Sequence, residues 1–351
     1  MKQLKNLFWP VVGLVAVAWS VKLLYFKLLH EVSADPAIRA QLDAGGFTSD
    51  LGIIVHAISA KLATIPPHSY LLAGLSTLVA YAALAWYDRI ALIHLERQQG
   101  ISWLYVSVCS FVTYALSHNI GASVFSGGMV RFRAYTAKGL SGAEVAVLVA
   151  LCSFTFAFGT MLLLGWVLLW EPQILKPLTS LSPKFDLGET PARIFGAALL
   201  TLCFLYTIGA WLHFKPLKIG SFKLVYPRLP VVARQYLAAP LELAGAAGII
   251  YFALPAEGNP GFAIVLGAFL LSFSAGLLSQ VPGGVGVMEA VFLAIMPQIP
   301  ATSVFAALLV WRLFYLLAPL LMSIPVILLF ERSQLGKSTK NLDPPTAILK
   351  H

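Results

Sequence analysis

Ser279-Gln280-Val281-Pro282-Gly283-Gly284-Val285-Gly286-Val287-Met288-Glu289 interrupts an apolar run that begins near residue 262. Proline lacks the amide a helix needs, and glycine loses more entropy on ordering than any other residue, so this string stops a helix. A second, shorter helix is expected to begin near Val287, with Glu289 in its first turn. The surroundings are those of a membrane: 59% of the 351 residues are hydrophobic, 11% are charged, and mean hydropathy is +0.82. Soluble domains carry about 25% charged residues. The composition excludes an ordinary soluble enzyme, a disordered chain and a nucleic-acid binder. The apolar runs are continuous, which excludes a barrel of alternating strands. Backbone released from a helix at membrane depth must lie within protein or beside a wet cavity. The break therefore predicts a hairpin of two short helices.

Outward from this break the apolar runs fall at about 7–29, 68–87, 103–125, 142–170, 191–212, 236–256, 262–281 and 303–330. Asp50–Ala63 carries apolar residues at helical spacing, the pattern of an amphipathic helix at the interface or of a helical loop packed on the spans. Lys215, Lys218, Lys223, Arg228 and Arg234 stand in one loop without an acid, which marks it as cytoplasmic by the Lys/Arg bias. The N-terminus and the tail read the same way, and 30–67 and 171–190 suit the outside. Parity then requires 103–130 to enter and leave on the cytoplasmic face, and 262–300 to do so on the outer face. The expected fold is all-α and polytopic, with about six full transmembrane helices and two oppositely oriented re-entrant hairpins forming an inverted repeat. A shift of 156 residues lays Gly127-Gly128 on Gly283-Gly284. Repeat one covers about 68–170 and repeat two about 236–330, within a single membrane domain 1–335 that ends in a short cytoplasmic tail, 336–351. Leu7–Leu29 is long enough to span and lacks a following small-residue cleavage site, so no removable signal peptide is expected.

Charged and polar residues inside such a domain are the candidate site, because a buried charge is expensive and is kept for function or paired. In the first hairpin these are Asn119, Gly127, Gly128, Arg131 and Arg133. Guanidinium pairs bidentately with phosphate, so the arginines suit a lipid headgroup; the alternative for Arg131 is a snorkelling anchor. The two arginines are about 200° apart on a helix, so only one faces the interior. The expectation is Arg133, which the shift lays on Glu289, with Arg131 at the surface. In the second hairpin the candidates are Gln280, Pro282, Gly283, Gly284, Gly286 and Glu289, with the amides of the new helix aimed at an anion. Glu289 needs a cation, and Arg312 in the last span or Arg133 supplies it, as a structural pair or a gate. Tyr315 stands one turn after Arg312. Glu242 is a weaker buried-acid candidate near the membrane edge, and Asp88-Arg89 reads as a local interfacial pair. Cys109, Cys152 and Cys203 lie in apolar runs and read as small hydrophobes. The histidines are scattered and no nucleotide motif is present, so no enzyme activity, metal or cofactor is expected.

The strings Asn119-x-Gly121, Gly127-Gly128-x-x-Arg131-x-Arg133-x-Tyr135, Lys138-Gly139-Leu140-Ser141, Pro282-Gly283-Gly284-Val285-Gly286-x-x-Glu289 and Arg312-x-x-Tyr315 resemble the membrane domain of the bacterial lysylphosphatidylglycerol synthase (multiple peptide resistance factor) family. Tyr87-Asp88-Arg89-Ile90-Ala91-Leu92 resembles its stand-alone branch. The resemblance implies a flippase-like translocase of the bacterial inner membrane that moves a phospholipid or lipid-linked headgroup between leaflets. Only about 20 residues follow Phe330, so the aminoacyl-transfer chemistry of the family's soluble domain is not carried over. The alternative is a non-catalytic accessory or lipid-binding subunit of a cell-envelope lipid-modifying system. Expected partners are the lipid itself and either a second copy of the chain or a lipid-modifying enzyme.

Overall fold

The structure, a computed structural model, describes residues 22, 25–26, 29, 33, 47–120, 123–181, 188–214, 217–219, 222–279 and 281–340. The expected first span and the end of the tail lie outside the described residues, as does Gln280. Among the described residues, five helices are long and apolar enough to cross a membrane: α2 (Pro67–His94), α5 (Gly142–Trp170), α6 (Glu189–Trp211), α7 (Leu229–Ala253) and a composite last span, Ala301–Leu329. Preceding them, α1 (Phe47–Thr64) buries Ile54 and Ile58 in the main core and leaves Leu51 and Val55 exposed. It packs on the spans with one face and turns the other outward. A two-stranded ribbon, β1 (Leu217–Ile219) with β2 (Phe222–Leu224), forms the basic loop between α6 and α7.

Among the described residues, two helices too short to span each follow a longer one. α3 (Trp103–Ile120) is followed by α4 (Ser123–Thr136), and α8 (Phe262–Leu278) by α9 (Val287–Ile295). At 1.5 Å per residue, a helix the length of α4 reaches about 21 Å and one the length of α9 about 14 Å, against a hydrocarbon core of about 30 Å. Each short helix folds back on its predecessor. A Cβ on Gly127 of α4 would lie 3.1 Å from Thr113 and 3.3 Å from Ser117 of α3. Tyr105 at the other end of α3 donates to the Ala134 carbonyl, so the two arms run antiparallel. In the second hairpin a Cβ on Gly276 would lie 3.3 Å from Gly284 Cα. The broken string at 279–289 does what its composition requires: α8 stops, Gly283 and Gly284 take φ of +60° and +62°, and α9 starts at Val287 with Gly286 at φ +83°.

α2 and α7, the leading helices of the two halves, run antiparallel down the centre. Gly248 abuts Ser76, Gly245 abuts Ala80, and Tyr87 reaches Glu242. A Cβ on Gly245 would come within 2.9 Å of the α2 backbone. Small residues are what brings helices together where lipid removes any hydrophobic drive between them. The same device joins α5 to α7, at Gly159 against Ala239, and α5 to α6, at Gly165 against Gly196.

The last span is composite: α10 (Ala301–Trp311), a π-helical turn Arg312–Leu317, and α11 (Ala318–Lys340). Pro319 explains the widened turn. It cannot donate to the Tyr315 carbonyl, and its ring crowds the preceding turn. The Tyr315 carbonyl so released is met by the Tyr81 hydroxyl at 2.9 Å, and the neighbouring Leu316 carbonyl accepts from Asn119 Nδ2 at 3.0 Å. Such repair is what lets a broken helix persist in a membrane.

Candidate functional site

Among the described residues, several charged side chains are buried inside the bundle while many large apolar ones are exposed. Leu202, Phe204, Leu321 and Leu329 are exposed, and Asp88, Arg131, Glu242 and Glu289 are buried. A soluble protein is arranged the other way, and here the exposed side chains form the lipid-facing surface.

Arg131 is held by Asp88. Nη2 donates to Oδ1 at 2.6 Å, and Nε contacts both carboxylate oxygens at 3.1 and 3.2 Å. Tyr135, one turn on, donates its hydroxyl to Oδ2 at 2.8 Å, and the Cys152 thiol donates to Oδ1 at 3.4 Å. The Tyr114 ring lies under the guanidinium, 4.8 Å from its carbon. These contacts fix Nε and Nη2 and leave the Nη1 edge toward Gly127, where an added Cβ would lie 3.6 Å away.

The expected faces of α4 are thereby reversed: Arg131 is buried in the network, and Arg133 is exposed on the opposite face. The two arginines diverge as their spacing requires, but the acid that decides which one turns inward is Asp88. Asp88 is not an interfacial partner of Arg89. α2 runs on to His94, so Asp88 is carried inside the bundle. Arg89 instead donates to the Gln98 and Ile101 carbonyls and lies over Trp103.

In the second hairpin Glu289 is paired with Arg312, whose Nε donates to Oε1; Nη2 lies against the same oxygen without hydrogen-bond alignment. Arg312 Nη1 also donates to the Gly283 carbonyl at 3.0 Å. The Gly286 amide donates to Glu289 Oε2 at 2.8 Å. The start of α9 is therefore capped by its own carboxylate. The expectation that these amides hold a lipid phosphate is corrected, since a phosphate there would meet Glu289 first. Tyr315 does not join this pair. Its hydroxyl donates to Glu242 Oε1, and Tyr87 donates to Oε2 at 3.3 Å.

The tips of the hairpins meet. A Cβ on Gly283 would lie 3.9 Å from the His118 carbonyl and 3.5 Å from Arg312 Nη1. Between the hairpins lies a cavity of about 290 Å³, lined by Tyr114, Ser117, His118, Arg131, Gly283, Gly284 and Trp311 among others. His118 Nδ1 and Trp311 Nε1 are buried there without a hydrogen-bond partner among the described residues. On the other face of the first hairpin, α3, α4 and α11 enclose an apolar groove of about 550 Å³ lined by Val108, Val112, Leu116, Met129 and Val326, with Arg133. The α3–α4 hairpin is thus a partition with a cation on each side.

The remaining predicted residues build rather than line the site. Asn119 braces the π-turn through Leu316. Gly127 is required by the closeness of α3, whereas a Cβ on Gly128 would meet open space. The Lys138-Gly139-Leu140-Ser141 string is a helix boundary: Gly139 at φ +86° ends α4, and Ser141 forms a reciprocal capping box with Glu144 to start α5. All three cysteines are free and buried, though Cys152 bonds to Asp88 rather than serving only as a small hydrophobe. Among the described residues no cluster of His, Cys, Asp and Glu has the grouping of a metal site.

Taken together, these features define a polytopic helical membrane protein with buried, paired charges and a cavity between two broken-helix hairpins that Arg131 lines. The chain belongs to the family of the uncharacterized protein slr0712 of Synechocystis sp., with which it is 32% identical over 251 residues, 69% of this chain and 73% of that protein. It is also 29% identical over 267 residues to the inner membrane protein YbhN of Escherichia coli, 75% of this chain and 80% of that protein. No family model matches the chain.

Proposed function

We propose that this chain is a lipid translocase of a bacterial inner membrane, flippase-like, and a stand-alone relative of the lysylphosphatidylglycerol synthase membrane domains. The observation that carries the reading is the cavity between the hairpins, with Arg131 on its wall and unpartnered buried His118 and Trp311 nitrogens beside it. Ligand sites run from about 300 to 1,000 Å³, so this space suits a headgroup and is too small for a lipid with its chains. The acyl chains stay in the bilayer and against the apolar groove outside the first hairpin. The headgroup alone takes the polar route.

In this reading Arg131 receives the phosphate through its Nη1 edge, and Asp88 and Tyr135 keep the guanidinium turned to the cavity. Arg133 meets the headgroup on the groove side. The Glu289–Arg312 pair holds the second hairpin shut and opens as the headgroup passes the tips. The protein changes no bond in the lipid and needs no cofactor. The similarity to YbhN, an inner membrane protein, supports the inner-membrane location. The Lys/Arg bias of the loops supports cytoplasmic termini, the α6–α7 ribbon on the cytoplasmic side and the 254–261 loop outside.

The test is reconstitution into liposomes carrying a headgroup-labelled phosphatidylglycerol, with exposure of the label to an impermeant quencher as readout. Transfer between leaflets with the lipid chemically unchanged supports the proposal. A modified lipid would make the chain an enzyme. Lipid binding without transfer would make it an accessory subunit.

A further inference from the structure

Among the described residues three carboxylates are buried inside the bundle: Asp88, Glu289 and Glu242. Two are neutralised by arginine, Asp88 by Arg131 and Glu289 by Arg312. Glu242 has no cation among the described residues. Its contacts are the Tyr87 and Tyr315 hydroxyls, from α2 and from the π-turn, and Tyr81 lies nearby on α2. The charged groups next along α2 are Asp88, already committed to Arg131, and Arg89, whose guanidinium is committed to the Gln98 and Ile101 carbonyls and the Trp103 ring. From α5 the neighbouring titratable group is Cys152, which faces Asp88. Two phenols supply hydrogen bonds but no charge, and an ionised carboxylate in a low-dielectric interior needs a cation or water. The neutral acid fits this pocket without either.

Glu242 is also linked through Tyr315 to the cavity wall and the π-turn. Tyr315 stacks on His118 with ring centroids 5.2 Å apart and on Trp311 at 5.2 Å, and both rings line the cavity. Tyr315 sits in the π-turn with Arg312, whose partner Glu289 caps α9. Single π-turns inside α-helices are rare and occur frequently at functional sites.

We propose that Glu242 is a proton-binding site that couples proton movement to opening of the cavity, so that lipid translocation is driven or gated by a pH gradient. This deepens the translocase reading and rests on it. With its proton bound, Glu242 accepts from the Tyr315 hydroxyl and donates its own O–H to the Tyr87 oxygen, whose hydroxyl turns away, and Arg312 stays on Glu289. On release, the carboxyl group becomes a carboxylate and the proton goes to water admitted through the opened cavity. The new charge draws Tyr315 and the π-turn toward α7, Arg312 leaves Glu289, and the hairpin tips part. Rebinding a proton from the opposite face resets the turn. One proton is exchanged and no other bond changes.

Two measurements on the full chain test this. The first is pH-dependent infrared difference spectroscopy of the protein in phosphatidylglycerol nanodiscs. A protonated-carboxyl C=O band is expected that disappears in Glu242→Gln and shifts in Tyr315→Phe; the Tyr315 variant also serves if Glu242→Gln fails to fold. A band untouched by either substitution overturns the proton site. The second is translocation of labelled phosphatidylglycerol under imposed pH gradients of both signs. The wild-type rate is expected to differ several-fold between the two directions, and Glu242→Gln to lose that difference. A wild-type rate indifferent to the gradient overturns the coupling and leaves the translocase reading standing. A complete lack of translocation overturns that reading and the coupling with it, while the infrared band still decides whether Glu242 binds a proton.

Discussion

The two halves of the molecule use the same parts in different pairings. In the first half, an arginine and a tyrosine one turn apart, Arg131 and Tyr135, converge on a single acid, Asp88, near the end of the leading helix α2. In the second half, Arg312 and Tyr315 stand similarly one turn apart, and the leading helix α7 again carries an acid, Glu242. There the tyrosine goes to Glu242 and the arginine goes to Glu289 on the hairpin itself. The first half is a closed charge balance that fixes one cation toward the cavity. Among the described residues inside the bundle, the second half has two acids, Glu242 and Glu289, for one arginine, and that arginine shares a π-turn whose carbonyls are met from two other helices. A fixed half and a movable half are what a protein needs if one side is to hold a headgroup and the other is to open around it.

The comparison predicts unequal responses to mutation. The largest effect is expected at Asp88→Asn or Arg131→Met singly, because each leaves a buried charge without its partner, a loss of about 3–5 kcal/mol. The double variant Asp88→Asn/Arg131→Met should recover most of that loss. A denaturation cycle on the purified protein measures both, and additive losses would contradict the closed network. Glu289→Gln should lose less, about 2–3 kcal/mol, because Arg312 is partly exposed and keeps its bond to the Gly283 carbonyl. A loss as large as that at Asp88 would show that the second half is as rigid as the first.

Asn119→Leu and Tyr81→Phe each leave one carbonyl of the π-turn unmet, and each should lower stability by about 1–3 kcal/mol. The same variants should raise hydrogen exchange at 312–317, and unchanged exchange there would mean that the turn is not held by these two side chains. The smallest effect is expected at Arg133→Lys, within about 0.5 kcal/mol, because an exposed arginine on the groove face tolerates another cation. Arg131→Lys cannot reproduce the two-nitrogen contact with Asp88 and should impair both stability and translocation.

Much of the fold was legible because it rests on composition and punctuation. Pro282 and the glycines after it stop α8, and the start of α9 falls at Val287, where the sequence puts it. Glu289 and Arg312 were also legible, since a lone acid and a lone arginine in apolar runs must find each other. The orientation of Arg131 was not. Spacing says that Arg131 and Arg133 diverge, but the choice between them is made by Asp88, and Asp88 looked interfacial because Tyr87-Asp88-Arg89 resembles the end of a span. The helix in fact continues to His94, held there by packing rather than by a cap signal. The rule that would have found it is that an acid inside a long helix implies a distant basic partner. The role of Glu242 was hidden for a similar reason: its partners are tyrosines, which carry no charge pattern to read. The phosphate site expected at the α9 terminus failed because Glu289, placed three residues after Gly286, caps that terminus itself.

The account turns on Arg131 being the cation that receives the headgroup. The double variant Asp88→Asn/Arg131→Met removes that cation together with the acid that holds it, so the bundle stays balanced. Reconstituted at matched protein density in liposomes with labelled phosphatidylglycerol, it should fold as wild type does and lose translocation by tenfold or more, an effect of about 1.4 kcal/mol on the barrier. A folded double variant that moves the lipid at the wild-type rate would contradict the account.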